Sequence, residues 1–435
     1  MVKNCFCFHN VGQGLFYSGI LTAAGSKEKF TFVYDCGTAT SGVLENRVRR
    51  FVKTLPCAET SKVDLLVLSH LHEDHINGLR WLMEEYNVAV DTVVMPYLSP
   101  TELIWCGSEA STRPSTFVYS VLRDPIGKLR ELGVNNIVCI TYDGMDPEER
   151  QQSLQEADNR NALGADSPAW DFLPPLGDLR NISKRGAPHV IYARRACYTH
   201  KDADNTPYWQ FVFSNPEPKG RTNAEKQFLA ELESDPMFQS ITNLSGYDLS
   251  EEVLCRIQKD VKTKKRLKEL YKKCCGDLNR SSLLMYHAPV DVTNAALSFH
   301  SAPAWPRYIG LCAYKTLNTA TREPCTALCN KFYGVGTLLT GDISELNPNQ
   351  LGRISETAIL RGIQVFSVPH HGSKHIRIAA SHRFHPKYGV VSCGADNAYG
   401  HPSVNTLREI AQRGIVPVIA DENHALEYCV YYDNG

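Results

Sequence analysis

The sequence contains no apolar run that approaches the roughly 18 residues needed to cross a membrane. It also lacks an excess of charge of either sign, because 46 Lys and Arg residues face 47 Asp and Glu residues. A field that draws the whole protein to nucleic acid or to an anionic membrane is therefore excluded, and such binding would depend on local patches. The start of the chain has no basic segment followed by an apolar stretch, so no signal peptide is expected.

Repeated pairs of closely spaced cysteines are absent as well. The 15 cysteines are scattered and include no Cys-x-x-Cys pair. In a chain of 435 residues this pattern indicates free thiols rather than a disulfide framework, so we expect a cytoplasmic location. The hydrophobic content of 43% and the charged content of 21% are typical of a soluble globular enzyme.

One short segment concentrates side chains that bind metal ions. An apolar run typical of a buried strand, 63–68, precedes the segment, and helix-like spacing follows over 76–86. Within six residues the segment holds His70, His72, Asp74 and His75. His70 and His72 lie two apart at a strand end and can share one ion, whereas Asp74 and His75 begin the helix and can face a second ion. A histidine-rich surface loop is the competing interpretation, which four ligands between a strand and a helix disfavour.

This segment has the pattern His-x-His-x-Asp-His, and it resembles the signature of the metallo-β-lactamase-fold hydrolases. Other segments resemble the ComEC-type branch, which includes the hydrolase domain of competence proteins, stand-alone relatives and phosphorylcholine esterases. These segments are Asn-Val-Gly-Gln-Gly at 10–14, Asp-Cys-Gly at 35–37, Thr-Gly-Asp at 340–342, His-His-Gly-Ser at 370–373 and Gly-Ala-Asp-Asn-Ala-Tyr-Gly-His-Pro at 394–402. The chain would be a soluble, stand-alone member of this branch.

The resemblance implies an α/β protein, namely an αββα sandwich with a large helical or irregular insertion. We expect residues 1–142 and 279–435 to form the two halves of the sandwich. Residues 143–278 would be the insertion, serving as a lid or contacting the substrate, and 288–333 would be a second, smaller insert. The resemblance also implies two divalent metal ions, and imidazole with carboxylate but no thiolate suits Zn or Mn.

Further candidate ligands lie at predicted strand ends in the second half of the chain. Asp342 follows an apolar strand and is placed to bridge two ions, while His370 and His371 follow another strand. The resemblance implies that His70 and His72 hold the first ion. The second ion would take Asp74, His75 and one of His370 or His371, of which we assign His370 to the metal.

Three residues have less certain places in this scheme. The third histidine that the superfamily supplies to the first ion corresponds here to Asn279, which predicts a weaker first site. His287 is the alternative ligand, although it lies at the far end of its predicted strand. Asp35, at a strand end, would orient a ligand histidine or simply occupy a turn.

The expected reaction is hydrolysis of a phosphodiester bond by a hydroxide that bridges the two metal ions. Asp74 belongs to the catalytic set, and His371 or His401 would stabilise the phosphate oxygens or protonate the leaving group. The leading hypothesis is a nuclease acting on DNA or RNA. The alternatives are a phosphodiesterase for a nucleotide or phosphocholine-like ester, and a non-catalytic regulatory module with a structural metal site.

The segment 253–273 is strongly basic and has apolar residues along one helical stripe. One interpretation is a docked helix with a solvated basic face. The other is a contact surface for a nucleic-acid backbone, for which the candidates are Lys264, Lys265, Arg266 and Lys268.

Overall fold

The computed structural model describes most of the chain. Residues 143–169 and 174–188 of the predicted insertion, the candidate Asn279 and most of the small insert at 288–333 lie outside the described residues. The described residues are 2–23, 25–26, 28–56, 61–110, 115–142, 170–173, 189–216, 220–241, 243–275, 282–290, 296–299, 335–347, 351, 354, 362–378, 384 and 386–432.

Two large sheets form the centre of the protein. The strands of the described residues are β1 (Val2–Phe8), β2 (Phe16–Thr22), β3 (Lys29–Cys36), β4 (Lys62–Val67), β5 (Ala89–Pro96), β6 (Asn136–Ile140), β7 (Trp170–Leu173), β8 (His189–Ala193), β9 (Arg195–Lys201), β10 (Pro207–Ser214), β11 (Leu284–Pro289), β12 (Ala296–Phe299), β13 (Gly336–Leu339), β14 (Glu345–Leu346), β15 (Ile363–Ser367), β16 (Arg377–Ile378), β17 (Tyr388–Ser392), β18 (Val416–Ala420) and β19 (Leu426–Tyr432). The nine-stranded sheet has the order β12-β19-β1-β2-β3-β4-β5-β6-β8, and the eight-stranded sheet has the order β18-β17-β15-β13-β11-β10-β9-β7. Strands β14 and β16 form a separate two-stranded sheet.

Helices cover the outer faces of both sheets. In the described residues they are α1 (Leu44–Val52), α2 (Glu73–Ile76), α3 (Pro100–Glu109), α4 (Thr116–Arg123), α5 (Pro125–Glu131), α6 (Arg221–Ser234), α7 (Gly246–Lys259), α8 (Val261–Cys275) and α9 (Val404–Gln412). A π-helical turn spans Arg80–Glu85, and 3-10 turns span Gln239–Ile241 and Pro369–Gly372.

Three apolar layers hold the sheets and helices together. Consecutive residues of β4 alternate between layers, because Leu65 faces the second sheet whereas Leu66 faces helices such as α1 and α4. Strands buried on both faces read as continuous apolar runs, as 63–68 does. On the far side of the second sheet, Phe366 and Val391 pack near Ile410 of α9. The layers therefore run helix, sheet, sheet, helix, which confirms the expected αββα metallo-β-lactamase sandwich.

The sequence predicts one helix over 114–132 and another over 253–273, with Val261 in the apolar stripe of the second, but each of these helical regions is divided at an aspartate. Asp124 separates α4 from α5, and its Oδ1 accepts a hydrogen bond of 2.7 Å from the N–H of Gly127. Asp260 separates α7 from α8 in the same way, since its Oδ2 accepts from the N–H of Thr263 at 2.9 Å. A carboxylate that caps a new helix starts a new axis, and Val261, predicted in the apolar stripe, is consequently 59% exposed.

The predicted insertion contributes strands to both large sheets and helices to the outer helical layer. Strands β8, β9 and β10 within it belong to the two sheets. Helices α6, α7 and α8 pack on the outer helical layer beside α3. A buried ion pair joins the two parts, because the Arg221 guanidinium donates to Glu102 of α3 at 2.9 Å and to Glu225 at 3.0 Å. The same guanidinium lies 4.1 Å above the ring of Tyr142.

Replacing Arg221 with alanine leaves the carboxylates of Glu102 and Glu225 buried without their cation. We expect Arg221→Ala to lower the free energy of unfolding by about 3–5 kcal/mol. Urea unfolding followed by tryptophan fluorescence measures the change. The matched control is Lys273→Ala, which removes a pair with Glu231 whose lysine side chain is 59% exposed. That control should lose less than about 1 kcal/mol, and equal losses for the two variants would contradict a structural role for the buried pair.

Candidate metal centre

The candidate ligands meet because they follow the carboxyl ends of strands in both sheets. His70 and the residues after it follow β4, which runs parallel to β3. Asp342 follows β13, and His370 and His371 follow β15, which runs parallel to β13. The carboxyl ends of parallel strands share one edge, and here the edges of the two sheets adjoin. The order and direction of the strands therefore bring the candidate ligands together, in addition to their closeness in the local sequence.

Two groups of side chains place their donor atoms within 4.8 Å of one another. The first group is His70, His75 and Asp342, and the second is Asp74, His75 and His371. Asp342 faces both groups, since its Oδ1 lies 3.4 Å from His75 Nε2 and 3.7 Å from His371 Nε2. Asp342 therefore lies between the two groups, and its role as a bridge between two ions stays a prediction. The His72 ring lies 4.5 Å from the His70 ring, at the edge of the first group.

These residues fit metal ions of the expected kind. The Nε2 atoms of His70, His75 and His371 are buried and have no hydrogen-bond partner among the described residues. Two ligand atoms bound about 2.1 Å from a tetrahedral zinc ion lie about 3.4 Å apart. His371 Nε2 lies 3.4 Å from Asp74 Oδ2, close to that spacing. Buried polar atoms normally have partners, so three orphaned imidazole nitrogens facing carboxylates indicate cation sites.

The structure distinguishes the two neighbouring histidines that the sequence offers as alternatives. His371 is buried and joins the group with Asp74, and its Nδ1 lies 2.8 Å from the carbonyl oxygen of Ser392. His370 is more exposed, and its Nε2 lies 3.9 Å from Asp342 Oδ2. His401 lies further out, with its ring 6.3 Å from that of His371.

Asp35 supports the ligands from behind. Its Oδ1 accepts a hydrogen bond from the N–H of Ser69 at 2.6 Å, and its Oδ2 accepts from the Ser69 hydroxyl at 2.5 Å. His75 Nδ1 lies 2.8 Å from the same Oδ2, which turns His75 Nε2 toward Asp342. A carboxylate that holds the second nitrogen of a ligand histidine sets its tautomer and orientation. Of the two readings given for Asp35, its position matches the orienting one.

Left-handed backbone conformations are concentrated at the same place. Among the described residues other than glycine, Asp35, His370 and His371 have φ of 54°, 48° and 53°, and Asn87 and Asn205 are the others with positive φ. This region is uncommon for residues other than glycine, although Asn, Asp and His adopt it more often than the rest. Three of these five residues are therefore candidate ligands or the carboxylate that contacts one.

Two serines of the site were not predicted from the sequence. Ser69 Oγ lies 2.9 Å from His70 Nδ1, and Ser282 Oγ lies 3.4 Å from the same nitrogen. Ser282 Oγ also accepts a hydrogen bond of 2.9 Å from the N–H of Asp342. Ser69 directly precedes the histidine motif, which could have singled it out. Ser282 lies next to Asn279, but nothing in the local sequence marks it as a link between two ligands.

Glycines of the flanking motifs let the backbone approach the ligand loop. A Cβ atom added to Gly14 would lie 2.6 Å from the carbonyl oxygen of Asp74, and one added to Gly37 would lie 2.6 Å from the same carbonyl group. Gly14 also has a φ of 146°, which side chains rarely adopt. The motifs at 10–14 and 35–37 are thus explained by close contact with the loop that carries Asp74.

Charge balance in the metal-free site depends on protonated histidines. Burial lowers the pKa of His75, but the negative charges of Asp342, Asp35 and Asp74 outweigh it and hold that pKa well above its usual value. Burial also opposes protonation of His371, and Asp342 with Asp74 raises its pKa. For Asp342, burial raises the pKa, but the charges of His371 and His75 hold it well below its usual range. The raised pKa values favour the protonated forms of His75 and His371, whose positive charge offsets these carboxylates.

Two other predicted residues lie away from this centre or at its margin. His287 is buried between the sheets, where its Nε2 lies 2.9 Å from the Tyr17 hydroxyl and the Phe6 and Phe32 rings are each 5.1 Å away. Burial lowers the pKa of His287 to about 3. His401 lies beside Gln13, whose side-chain nitrogen is 3.3 Å from His401 Nδ1.

The centre opens into a cleft of about 920 Å³. His72, Asp74, Asp342, His370 and His371 line its floor. Of the four basic residues proposed from the sequence, Lys268 lines the cleft.

The other three basic candidates lie elsewhere on α8. Lys264 is buried, with its Nζ 3.3 Å from the Tyr119 hydroxyl. Arg266 is paired with Asp235 at 2.6 Å. Lys265 is exposed to solvent and is not among the residues of the cleft wall.

Comparison with known proteins supports the assignment of the amino-terminal half. The model of the "Metallo-beta-lactamase superfamily" matches residues 22–134, which include the histidine motif. The matched segment is similar to the metallo-β-lactamase superfamily, whose members are generally metal-dependent hydrolases. No curated protein matches the chain.

No helix in the described part of the chain has both the length and the apolar content needed to cross a bilayer.

Similarity to solved structures is slight. One of them is described as "Crystal Structure of a Beta-lactamase domain protein from Burkholderia ambifaria" and is 16% identical over 22% of this chain, with a TM-score of 0.16. The chain spans 28% of that structure. So small a likeness carries no argument about activity.

The role of Asp35 can be tested by removing its charge. We expect Asp35→Asn to weaken metal binding about 10- to 100-fold, because His75 loses the group that orients it. Competition with a fluorescent chelator measures the affinity. The matched control is Asp421→Asn, since Asp421 holds His424 Nδ1 at 2.9 Å in a surface turn. The idea fails if both substitutions leave the affinity unchanged.

The raised pKa values of His75 and His371 predict coupling between metal and protons. Metal ions bind neutral imidazole, so binding at pH 7 should release protons from these two residues. Affinity should accordingly fall as the pH falls below 7. Calorimetric titration with Zn in buffers of different ionisation enthalpy measures the protons released. A binding enthalpy that is the same in every buffer would show that the histidines are already neutral.

Proposed function

We propose that the chain is a phosphodiesterase that uses two divalent metal ions and acts on nucleic acid. The observation that carries the proposal is the pair of ligand groups joined by Asp342. Two divalent ions, when bound, activate water and neutralise phosphate oxygens. The likeness to the ComEC-type branch is part of the same proposal and rests on the motifs at 10–14, 35–37, 340–342, 370–373 and 394–402.

Within this proposal the ligands divide between the two groups. His70, His72 and Asp342 serve the first ion, whereas Asp74, His75 and His371 serve the second. His371 takes the ligand position that the sequence analysis assigned to His370, because its Nε2 lies 3.4 Å from Asp74 Oδ2. His370 then lies at the floor of the cleft, where it can contact the substrate phosphate.

His401 is suited to hold a phosphate oxygen with a neutral ring. Burial, together with His371 and His370, lowers the pKa of His401 to about 4, so the ring is neutral at pH 7. The Gln13 amide can donate to His401 Nδ1 at 3.3 Å, which leaves the proton on Nε2. This Nε2–H can donate to a phosphate oxygen or to the leaving group. His401 thus orients and stabilises, and it carries no positive charge of its own.

A small-molecule phosphodiesterase is the second candidate. The observation in its favour is the cleft volume of about 920 Å³, which falls within the roughly 300–1,000 Å³ of small-molecule sites. Such an enzyme would use the same ligands on a nucleotide or phosphocholine-like ester. The site also permits a third reading, in which metal only stabilises a regulatory module.

Hydrolysis assays separate these candidates. Purified protein loaded with Mn or Zn is tested on bis(p-nitrophenyl) phosphate, on single- and double-stranded DNA, and on RNA. We expect cleavage of nucleic acid with two metal ions per chain. Asp74→Ala should reduce the rate at least about 1,000-fold, because Asp74 faces both His75 and His371.

The control for this assay is Asp204→Ala, an exposed aspartate in the turn after β9 that lies outside the cleft wall. It should keep the wild-type rate, and circular dichroism should show that both variants are folded. Cleavage of the small ester alone would favour the second candidate. A folded, metal-loaded protein with no turnover on any substrate would leave only the regulatory reading.

A further inference from the structure

Helix α8 presents two lysines to the cleft from a single face. Lys268 and Lys272 are four residues apart and therefore lie one helical turn from each other on the same side. Both line the cleft that contains the ligand groups. Lys264, one turn earlier on this side, is buried against Tyr119. The basic character of α8 thus reaches the cleft only through its carboxyl-terminal half.

Two cations of the cleft wall have no ion pair. Lys272 of α8 and Lys374, which follows the His370–His371 turn, are exposed, and neither lies within 4 Å of a carboxylate in the described chain. Lys268 is partly neutralised, because its Nζ lies 3.5 Å from Glu109 Oε2. An anion that fills the cleft therefore meets these two positive charges from different elements, together with the carboxylates of Glu73 and Glu109 in the same wall.

Aromatic rings complete the wall. Trp81 lines the cleft from the π-helical turn, and Tyr399 lines it from the loop before α9. The Tyr399 side chain is 67% exposed, although it carries one of the larger apolar surfaces of the protein. Its ring lies 5.6 Å from the His401 ring, with an angle of 25° between the two planes. The exposed Tyr399 ring beside His401 is therefore positioned to stack against a flat group in the cleft.

We infer that Lys272, Lys374, Trp81 and Tyr399 form a binding wall for single-stranded nucleic acid. The inference rests on the proposed function and specifies its substrate. Lysines attract the phosphates, and the rings accept bases that are free to unstack. In a duplex the bases stack on each other and are closed to such rings, so the wall selects a single strand. A phosphocholine-like ester offers no base and would leave both rings unused.

The test compares a short single-stranded DNA with bis(p-nitrophenyl) phosphate as substrates of the metal-loaded protein. Tyr399→Ala should raise KM for the oligonucleotide about tenfold, as expected for the loss of one stacked base. Lys272→Gln should raise the same KM about threefold to tenfold and reduce the slope of log KM against log salt by about one. Both variants should lower kcat/KM on the small ester much less than on the oligonucleotide, because that ester carries a single phosphate and no run of bases that spans the wall.

The matched control is Lys262→Gln, which removes an equally exposed lysine of α8 that is outside the cleft wall. Its kinetics and salt dependence should equal those of the wild type. Equal losses on both substrates in Tyr399→Ala and Lys272→Gln would overturn the inference, since they would indicate a general disturbance of the site. Unchanged KM values for the oligonucleotide would overturn it as well.

Failure of the wall and failure of the proposed function can be told apart by a binding measurement. Fluorescence anisotropy of a labelled oligonucleotide with metal-loaded Asp74→Ala protein measures affinity without turnover. Tighter binding of the single strand than of the matching duplex, weakened by adding Tyr399→Ala, supports the wall even if the wild type hydrolyses nothing. Equal binding of the two forms overturns the wall even if the wild type hydrolyses the small ester.

Discussion

The Asp342 carboxylate is the group on which the arrangement of the centre depends. It is 3% exposed, and Nε2 atoms of four histidines lie 3.4–3.9 Å from its oxygens, those of His70, His75, His370 and His371. A buried anion without compensating charge costs several kcal/mol, so it persists only where cations surround it. Protonated histidines supply that charge in the metal-free protein, and metal ions can replace them. The need to compensate the buried Asp342 charge therefore keeps histidines around this carboxylate, where they can also bind metal ions.

Holding these groups together requires support from residues that never reach the cleft. Asp35 fixes His75 and Ser69, and Ser282 connects His70 with the backbone of Asp342. Because the site lies where two sheets meet, each supporting group bridges elements that are far apart in the chain. Asp35, His370 and His371 also share a positive φ, which is uncommon for residues other than glycine.

The helices α6–α8 add a basic side to the cleft through residues of α8. Their attachment through Arg221 and Glu102 brings α8 beside α3, and this places Lys268 and Lys272 in the cleft. The family model matches residues 22–134, which include the His70–His75 motif and Trp81, whereas Lys268 and Lys272 come from helix α8, outside that region. The cleft is therefore lined both by the matched region and by other parts of the chain.

Much of the fold and the centre could be predicted from the sequence alone. Apolar runs such as 63–68 predict strands buried on both faces. The ligands of the His70–His75 motif are close in sequence, so the local backbone is enough to bring them together. The orientation of the basic side chains of α8 could not be predicted. Asp260 starts a new helix, so the residues that face inward differ from those that a single continuous helix would place there. The choice of His371 over His370 beside Asp74, and the role of Ser282, were likewise decided by the tertiary structure. They depend on contacts between strands far apart in sequence, and no local pattern encodes the distance between such strands.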